Sequence, residues 1–255
     1  MTLSAACTSG DEVFISDQDI QSLKAEQRHR ARKVLNAIPD KDQKSFTIRE
    51  KIRSFIAPYF ETPGLDNPSA SRRRLICGLF MGLPSEPNLR ELVGDLAIQP
   101  DLENVFWALP RIQKEPTLEH ESLKFYVCDS ALPIEECLEK NEFGIEEPLL
   151  SKAQEVTASQ MNLIFMPGLA FDKEMNRLGR GKAYYDRFLQ NYQGLKVGVL
   201  FHDQIINENL VVQPHDIKMD WIITENCMYK KMIFKEQPKA NPPLFNGEKT
   251  EKRTA

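Results

Sequence analysis

Hydrophobic residues recur at helical spacing in two stretches near the start of the chain. Ser16 or Asp17 can cap a first helix, and Ile20, Leu23, Ala31, Val34, Leu35 and Ile38 lie on one stripe, which predicts a helix to about Ile38. Asp40 or Asp42 opens a second, with Ile48, Ile52, Phe55, Ile56 and Tyr59 on its apolar side and Pro58 and Pro63-Gly64 helping to end it. Residues 62–74 read as an exposed loop. Beyond them the period changes. Short apolar strands are expected at 75–81, 105–109, 161–166, 195–201 and 220–224, and a half-exposed one at 122–129, where Leu123, Phe125 and Val127 alternate with polar residues. Helices are expected at 87–97 and 182–192. Unbroken apolar strands interleaved with helices imply α/β architecture: a single three-layer domain, its mainly parallel sheet flanked by helices, with two leading N-terminal helices.

Composition narrows the function. The 255 residues are 41% hydrophobic and 27% charged, with 33 basic and 37 acidic side chains and a formal net charge of -4. The longest apolar run, 161–171, is interrupted by Asn162, Pro167 and Gly168 and is far shorter than the ~20 residues a membrane helix needs. A mildly acidic chain is also poorly suited to holding a phosphate polymer without sequence preference, so neither membrane nor nucleic acid is an expected partner. Five cysteines without a C-x-x-C pair argue against a disulfide framework and a structural zinc. The chain begins without a basic n-region, so a cytoplasmic location is expected. Residues 1–15 and 235–255 read as flexible tails around a domain at 16–234, with 62–74 as an inserted loop.

The chemistry concentrates at 162–189, NLIFMPGLAFDKEMNRLGRGKAYYDRFL. A buried strand leads through Pro167-Gly168 and a long loop to Gly179-Arg180-Gly181-Lys182 at a helix start. Glycines let a backbone approach a ligand closely, and free N–H groups at a helix start favour an anion. Arg177, Arg180 and Lys182 add cations, and guanidinium groups grip phosphate oxygens in pairs. Asn176 and Ala183 break the P-loop pattern, and Tyr184 stands where a dinucleotide fingerprint needs a third glycine. A solvated basic loop and a phosphate site both remain open on spacing alone. Asp186 favours the second, because a carboxylate beside a phosphate suits a magnesium ion between them. His215-Asp216-Ile217-Lys218-Met219-Asp220 offers a second acid. On the first helix, Lys24, Arg28 and Arg32 form one basic stripe.

The 162–189 segment closely resembles the signature of the 5-formyltetrahydrofolate cyclo-ligase (5,10-methenyltetrahydrofolate synthetase) family. Lys24-x-x-x-Arg28, Phe106-Trp-Ala-Leu-Pro-Arg111, Phe143-Gly-Ile-Glu-Glu-Pro148 and His215-Asp216-x-Lys-x-Asp220 look like further landmarks in the family order, so the likeness runs from about Leu23 to Thr224. It implies ATP- and Mg2+-dependent closure of 5-formyltetrahydrofolate to 5,10-methenyltetrahydrofolate, by phosphorylation of the formyl oxygen and attack of folate N10, by a monomer. Carried over, Lys24 and Arg28 contact ATP, as does the loop of Arg177, Leu178, Gly179, Arg180, Gly181, Lys182, Ala183, Tyr184 and Tyr185. Arg180 and Lys182 stabilise the transferring phosphoryl group. Asp186 and Asp216 hold magnesium. Glu86, Phe143, Arg180 and Tyr184 meet the folate. Phe143 reads equally well as plain core, and Glu86 as an ordinary acid at a helix start. Ala183 departs from the family, which frequently has glycine there.

Overall fold

The computed structural model describes residues 16–59, 75–94, 105–114, 121–129 and 131–231, so the two expected tails and the 62–74 loop lie outside the described residues. Helix α1 spans Asp17–Ala37. It starts where Ser16 accepts a hydrogen bond from the Asp19 N–H at 3.2 Å while Asp19 reaches back to the Ser16 N–H at 3.3 Å. Pro39 disfavours a helical Ile38, and the helix stops. Helix α2, Lys41–Ile56, follows a left-handed Asp40 whose side chain makes no cap.

Thirteen strands are present among the described residues. The main sheet contains β1 (Leu75–Gly78), β2 (Val105–Lys114), β3 (Glu121–Cys128), β6 (Ala153–Val156), β7 (Leu163–Met166), β10 (Leu195–Val199), β12 (Trp221–Ile223) and β13 (Met228–Lys230). Their spatial order is β13-β12-β10-β7-β1-β2-β3-β6. Pairing is parallel from β12 through β10, β7 and β1 to β2, and antiparallel at the margins, where β13, β3 and β6 join. The expected α/β class and two leading helices are therefore present, and the chain has more β-structure than its apolar runs indicate. β4 (Leu138–Lys140) and β5 (Glu146–Pro148) form a hairpin, while β8 (Ala170–Asp172), β9 (Arg177–Leu178) and β11 (Ile205–Ile206) form a small sheet.

β2 extends five residues past the expected end at Leu109, straight through Pro110. The reason is positional. β1 accompanies β2 only as far as Ala108, whereas Pro110 faces Phe125 of β3, so the missing N–H falls where no partner strand needs it.

Alternation along each central strand feeds two cores. Leu163 and Phe165 join Cys77, Trp107, Val197 and Val199 on the face covered by Leu35, Ile48 and Ile52 of α1 and α2. Ile164 and Met166 join Ala108, Phe125 and Ile222 on the other, against Tyr184, Tyr185 and Phe188. Successive side chains of β7 are all buried because both faces are covered. No described helix is long and apolar enough to cross a membrane.

Two helices are shorter than their sequence pattern predicts. The 87–97 helix is seen as α3, Arg90–Gly94, with 95–97 outside the described residues. The 182–192 helix is α4, Tyr184–Phe188, followed by a 3-10 turn at Leu189–Asn191. Ala183 sits in the left-handed region at φ 53°, which excludes Lys182 from the helix. A five-residue helix sums few peptide dipoles, so anion attraction in this region must come from side chains and exposed loop N–H groups, contrary to the expectation of a helix-terminus site.

Candidate active site

The chain turns direction across the sheet between β1 and β7: β1 leads on to β2 on one side, and the later β7 lies on the other. Loops leaving the carboxyl ends of such neighbours diverge and leave a crevice. Glu86 follows β1, and the 167–186 loop follows β7. Lys24 and Arg28 of α1 close one wall, and Gln213, His215 and Asp216 complete the cleft.

Buried polar groups hold this loop. Asp172 is 1% exposed and accepts from the Asn176 backbone at 2.9 Å, the Asn176 amide at 2.8 Å and the Leu210 N–H at 2.9 Å. Gln204 donates to the carbonyls of Gly168 and Leu169 at 2.8 and 3.2 Å. Each removes otherwise unpaired backbone groups from the interior and so braces the path of the loop. Gly181, at φ 103°, supplies a backbone angle that side chains resist, next to the Arg28 guanidinium.

Each acid in the cleft is paired with a cation. Arg177, whose side chain is nearly buried, donates to both Asp186 oxygens at 3.1 Å and to the Pro167 carbonyl at 3.2 Å. Arg180 grips one oxygen of buried Glu86 through two nitrogens, at 3.0 and 2.7 Å, and the other Glu86 oxygen accepts from the Leu83 N–H at 3.1 Å. Lys24, buried on α1, pairs with Asp216, whose same oxygen accepts from the Gln213 N–H at 2.7 Å. Both bonds fall on Oδ2, leaving Asp216 Oδ1 without a hydrogen bond among the described residues. Among the described residues Arg28 has no acid of its own: its Nε donates to the Gly179 carbonyl at 3.1 Å. Burial, with nearby Arg32 next, lowers its pKa from the usual arginine value. Lys182 is exposed, and no described acid pairs with it.

Five cations therefore meet three carboxylates along the cleft, an excess of positive charge suited to a polyanion with a bound cation. The basic stripe on α1 divides: Lys24 and Arg28 line the cleft, while Arg32 is exposed beyond it.

Tyr184 donates to Glu121 at 2.5 Å, and burial, reinforced by that carboxylate, pushes its phenol up to about 12. Burial also raises Tyr185, which lies 5.4 Å from the Arg177 guanidinium. Glu121 and Gln213 belong to no motif and reach the site through strand pairing and loop packing. Arg187 lies within the 162–189 segment, next to Asp186, yet only the packing against β3 shows what its side chain meets.

A second cleft opens on the other side of Glu86, lined by Lys41, Ser45, Gly82, Asn88, Arg90 and Phe143. Phe143 lies at the tip of the β4–β5 hairpin with 73% of its surface exposed, which overturns its reading as core. Glu86 is 7% exposed and precedes α3 by several residues, so it caps no helix either. It forms the wall between the two clefts.

The fold has a solved counterpart. The NMR structure of Aquifex aeolicus 5,10-methenyltetrahydrofolate synthetase matches at a TM-score of 0.58 and 24% identity, covering 89% of this chain and 100% of that one, a likeness of fold. Among curated proteins, the 5-formyltetrahydrofolate cyclo-ligase of Haemophilus influenzae is 38% identical over 85 residues, 32% of this chain and 45% of that protein. The mouse enzyme of the same name is 38% identical over 97 residues, 35% of this chain and 47% of that protein. The chain thus aligns with about half the length of these two relatives. A model of the 5-formyltetrahydrofolate cyclo-ligase family matches residues 74–225, from the start of β1 past the end of β12, and on that span the chain belongs to this family.

Proposed function

We propose that the protein converts 5-formyltetrahydrofolate to 5,10-methenyltetrahydrofolate, consuming ATP and releasing ADP and phosphate. One observation carries the reading. A cation-rich cleft and an open cleft with an exposed aromatic ring share a single wall, Glu86, so a charged phosphate donor and a flat heterocycle can meet at one point.

The formyl oxygen is amide-like and leaves poorly. In the proposed reaction it attacks the γ-phosphorus, the bond to the β-phosphate oxygen breaks, and ADP departs. Folate N10 then adds to the activated carbon and gives up its proton, and the carbon–oxygen bond breaks as phosphate leaves carrying that proton. The protein has to align the donor with its acceptor and neutralise charge; no covalent nucleophile is needed. Lys182, without an acid partner among the described residues, meets the transferring phosphoryl group, and Arg28 the adjacent phosphates. Arg180 links the two halves: its guanidinium is held by Glu86 and stands at the mouth of the phosphate loop. Glu86 accepts from pterin N–H groups, and Phe143 lies against the ring system.

The acids present fit a magnesium ion bound chiefly through phosphate oxygens and water. Among the described residues no cluster of three or more His, Cys, Asp or Glu side chains forms a complete cage, while Asp216 keeps a free oxygen and Asp186 lies across the same cleft. Such an ion would be held by Asp216 and Asp186 and would reduce the negative charge of the triphosphate.

Purified protein mixed with 5-formyltetrahydrofolate, ATP and Mg2+ should generate methenyl absorbance. Absence of ATP-dependent product refutes the assignment. Folate binding that is indifferent to Mg2+ and to Lys182 would instead identify a binding protein.

A further inference from the structure

Arg187 belongs to no part of the proposed reaction, yet it organises the loop that does. Its backbone N–H donates to the Ala183 carbonyl at 3.0 Å. Its side chain donates to the Lys182 carbonyl at 3.0 Å and, through the other terminal nitrogen, to the Glu121 carbonyl at 3.1 Å. The guanidinium also lies 5.5 Å from the centre of the Tyr184 ring. Tyr184 is anchored in turn, its hydroxyl on the Glu121 carboxylate. A single planar fork therefore ties the phosphate loop to the first residue of β3.

The tie has a directional consequence. In a trans peptide the C=O and N–H point opposite ways. With the Lys182 carbonyl held on the Arg187 side, the Ala183 N–H faces the opposite side. Ala183 lines the cleft, and its N–H has no acceptor among the described residues. Ala183 also occupies the left-handed region, where a residue with a Cβ persists only if its surroundings hold it. We propose that Arg187 is a positioning residue: by fixing the Lys182–Ala183 peptide it presents the Ala183 N–H and the Lys182 ammonium together to the phosphates of the nucleotide. This rests on the nucleotide reading of the cleft, and it adds a specific dependence of nucleotide affinity on a side chain that touches no ligand.

The test compares wild type, Arg187→Ala and Arg187→Lys by calorimetric titration with ATP and Mg2+, by titration with 5-formyltetrahydrofolate, and by thermal melting. Arg187→Ala should weaken nucleotide binding at least tenfold and leave folate affinity within twofold. Arg187→Lys, which reaches one carbonyl but cannot bridge both, should fall between, and it supplies the answer if the alanine variant does not fold. Nucleotide affinity within twofold of wild type in both variants overturns the proposal. So does an equal loss for both ligands, which would mark a merely structural role. A wild type that binds ATP but forms no methenyl product refutes the catalytic assignment while leaving the role of Arg187 standing; a wild type that binds no nucleotide refutes both.

Discussion

The two clefts that share Glu86 are built on opposite plans. On the cation-rich side, Arg177, Arg180 and Lys24 are each engaged with an acid, and the loop is fixed by Asp172, Gln204 and Arg187. On the other side, Phe143 stands largely in solvent at the tip of a two-stranded hairpin. A charge-dense ligand needs preorganised cations, and buried cations need counter-charges while the ligand is away, because an unpaired buried charge is far costlier than a paired one. A ring that stacks needs only an accessible face. Charge recognition therefore demands rigidity before binding, and stacking tolerates exposure.

Lys182 gives the sharpest test of the contrast, since it is the cleft lysine with no described acid partner. Lys182→Ala should lower turnover roughly 100-fold or more without moving the melting midpoint, as loss of a group acting on developing charge does. Turnover near wild type would mean that the paired cations suffice. Asp216→Asn should raise the Mg2+ concentration for half-maximal activity by about tenfold, the lower end of the cost of disturbing a metal's surroundings; an unchanged magnesium titration would remove Asp216 from the metal site.

On the stacking side, Phe143→Ala should raise KM for 5-formyltetrahydrofolate about three- to tenfold, the equivalent of one aromatic contact, with KM for ATP and stability unaltered. A change in the ATP constant would show that the clefts do not divide the work. Tyr184 lines the cation-rich cleft. Its pKa is raised in the folded state, so the stability it contributes is complete below pH 10 and is lost as pH rises through about 12. Melting of Tyr184→Phe against wild type across that window should show a smaller alkaline loss in the variant; parallel curves would contradict it. Smallest is Ala183→Gly: relief of the left-handed strain, offset by greater freedom in the unfolded chain, should stabilise by about 0.5–1 kcal/mol in urea unfolding.

The long motif at 162–189 was legible because its residues are contiguous, and the two leading helices and the fully buried strands because their patterns are local. What the patterns concealed has a common origin. Pro110 reads as a strand end, yet β2 passes through it because β1 has already stopped. Lys182 reads as the first turn of a helix, yet Ala183 turns left-handed where Arg187 holds the preceding carbonyl. Phe143 reads equally as core or site until the hairpin places it outside.

The order of apolar and polar residues alone determined a sheet covered on both faces, because hydrophobic burial acts through periods of two and 3.6 that each segment carries within itself. It also determined which charges are available. Only the tertiary structure decided which of them meet: Lys24 with Asp216 and Arg180 with Glu86 are separated by 192 and 94 residues, the first pair meeting where α1 packs beside the loop before β12 and the second where the chain leaves β1 and β7. Coulombic attraction falls off with distance and is screened by salt, so it selects among neighbours that packing has already made, and packing is a property of the whole chain.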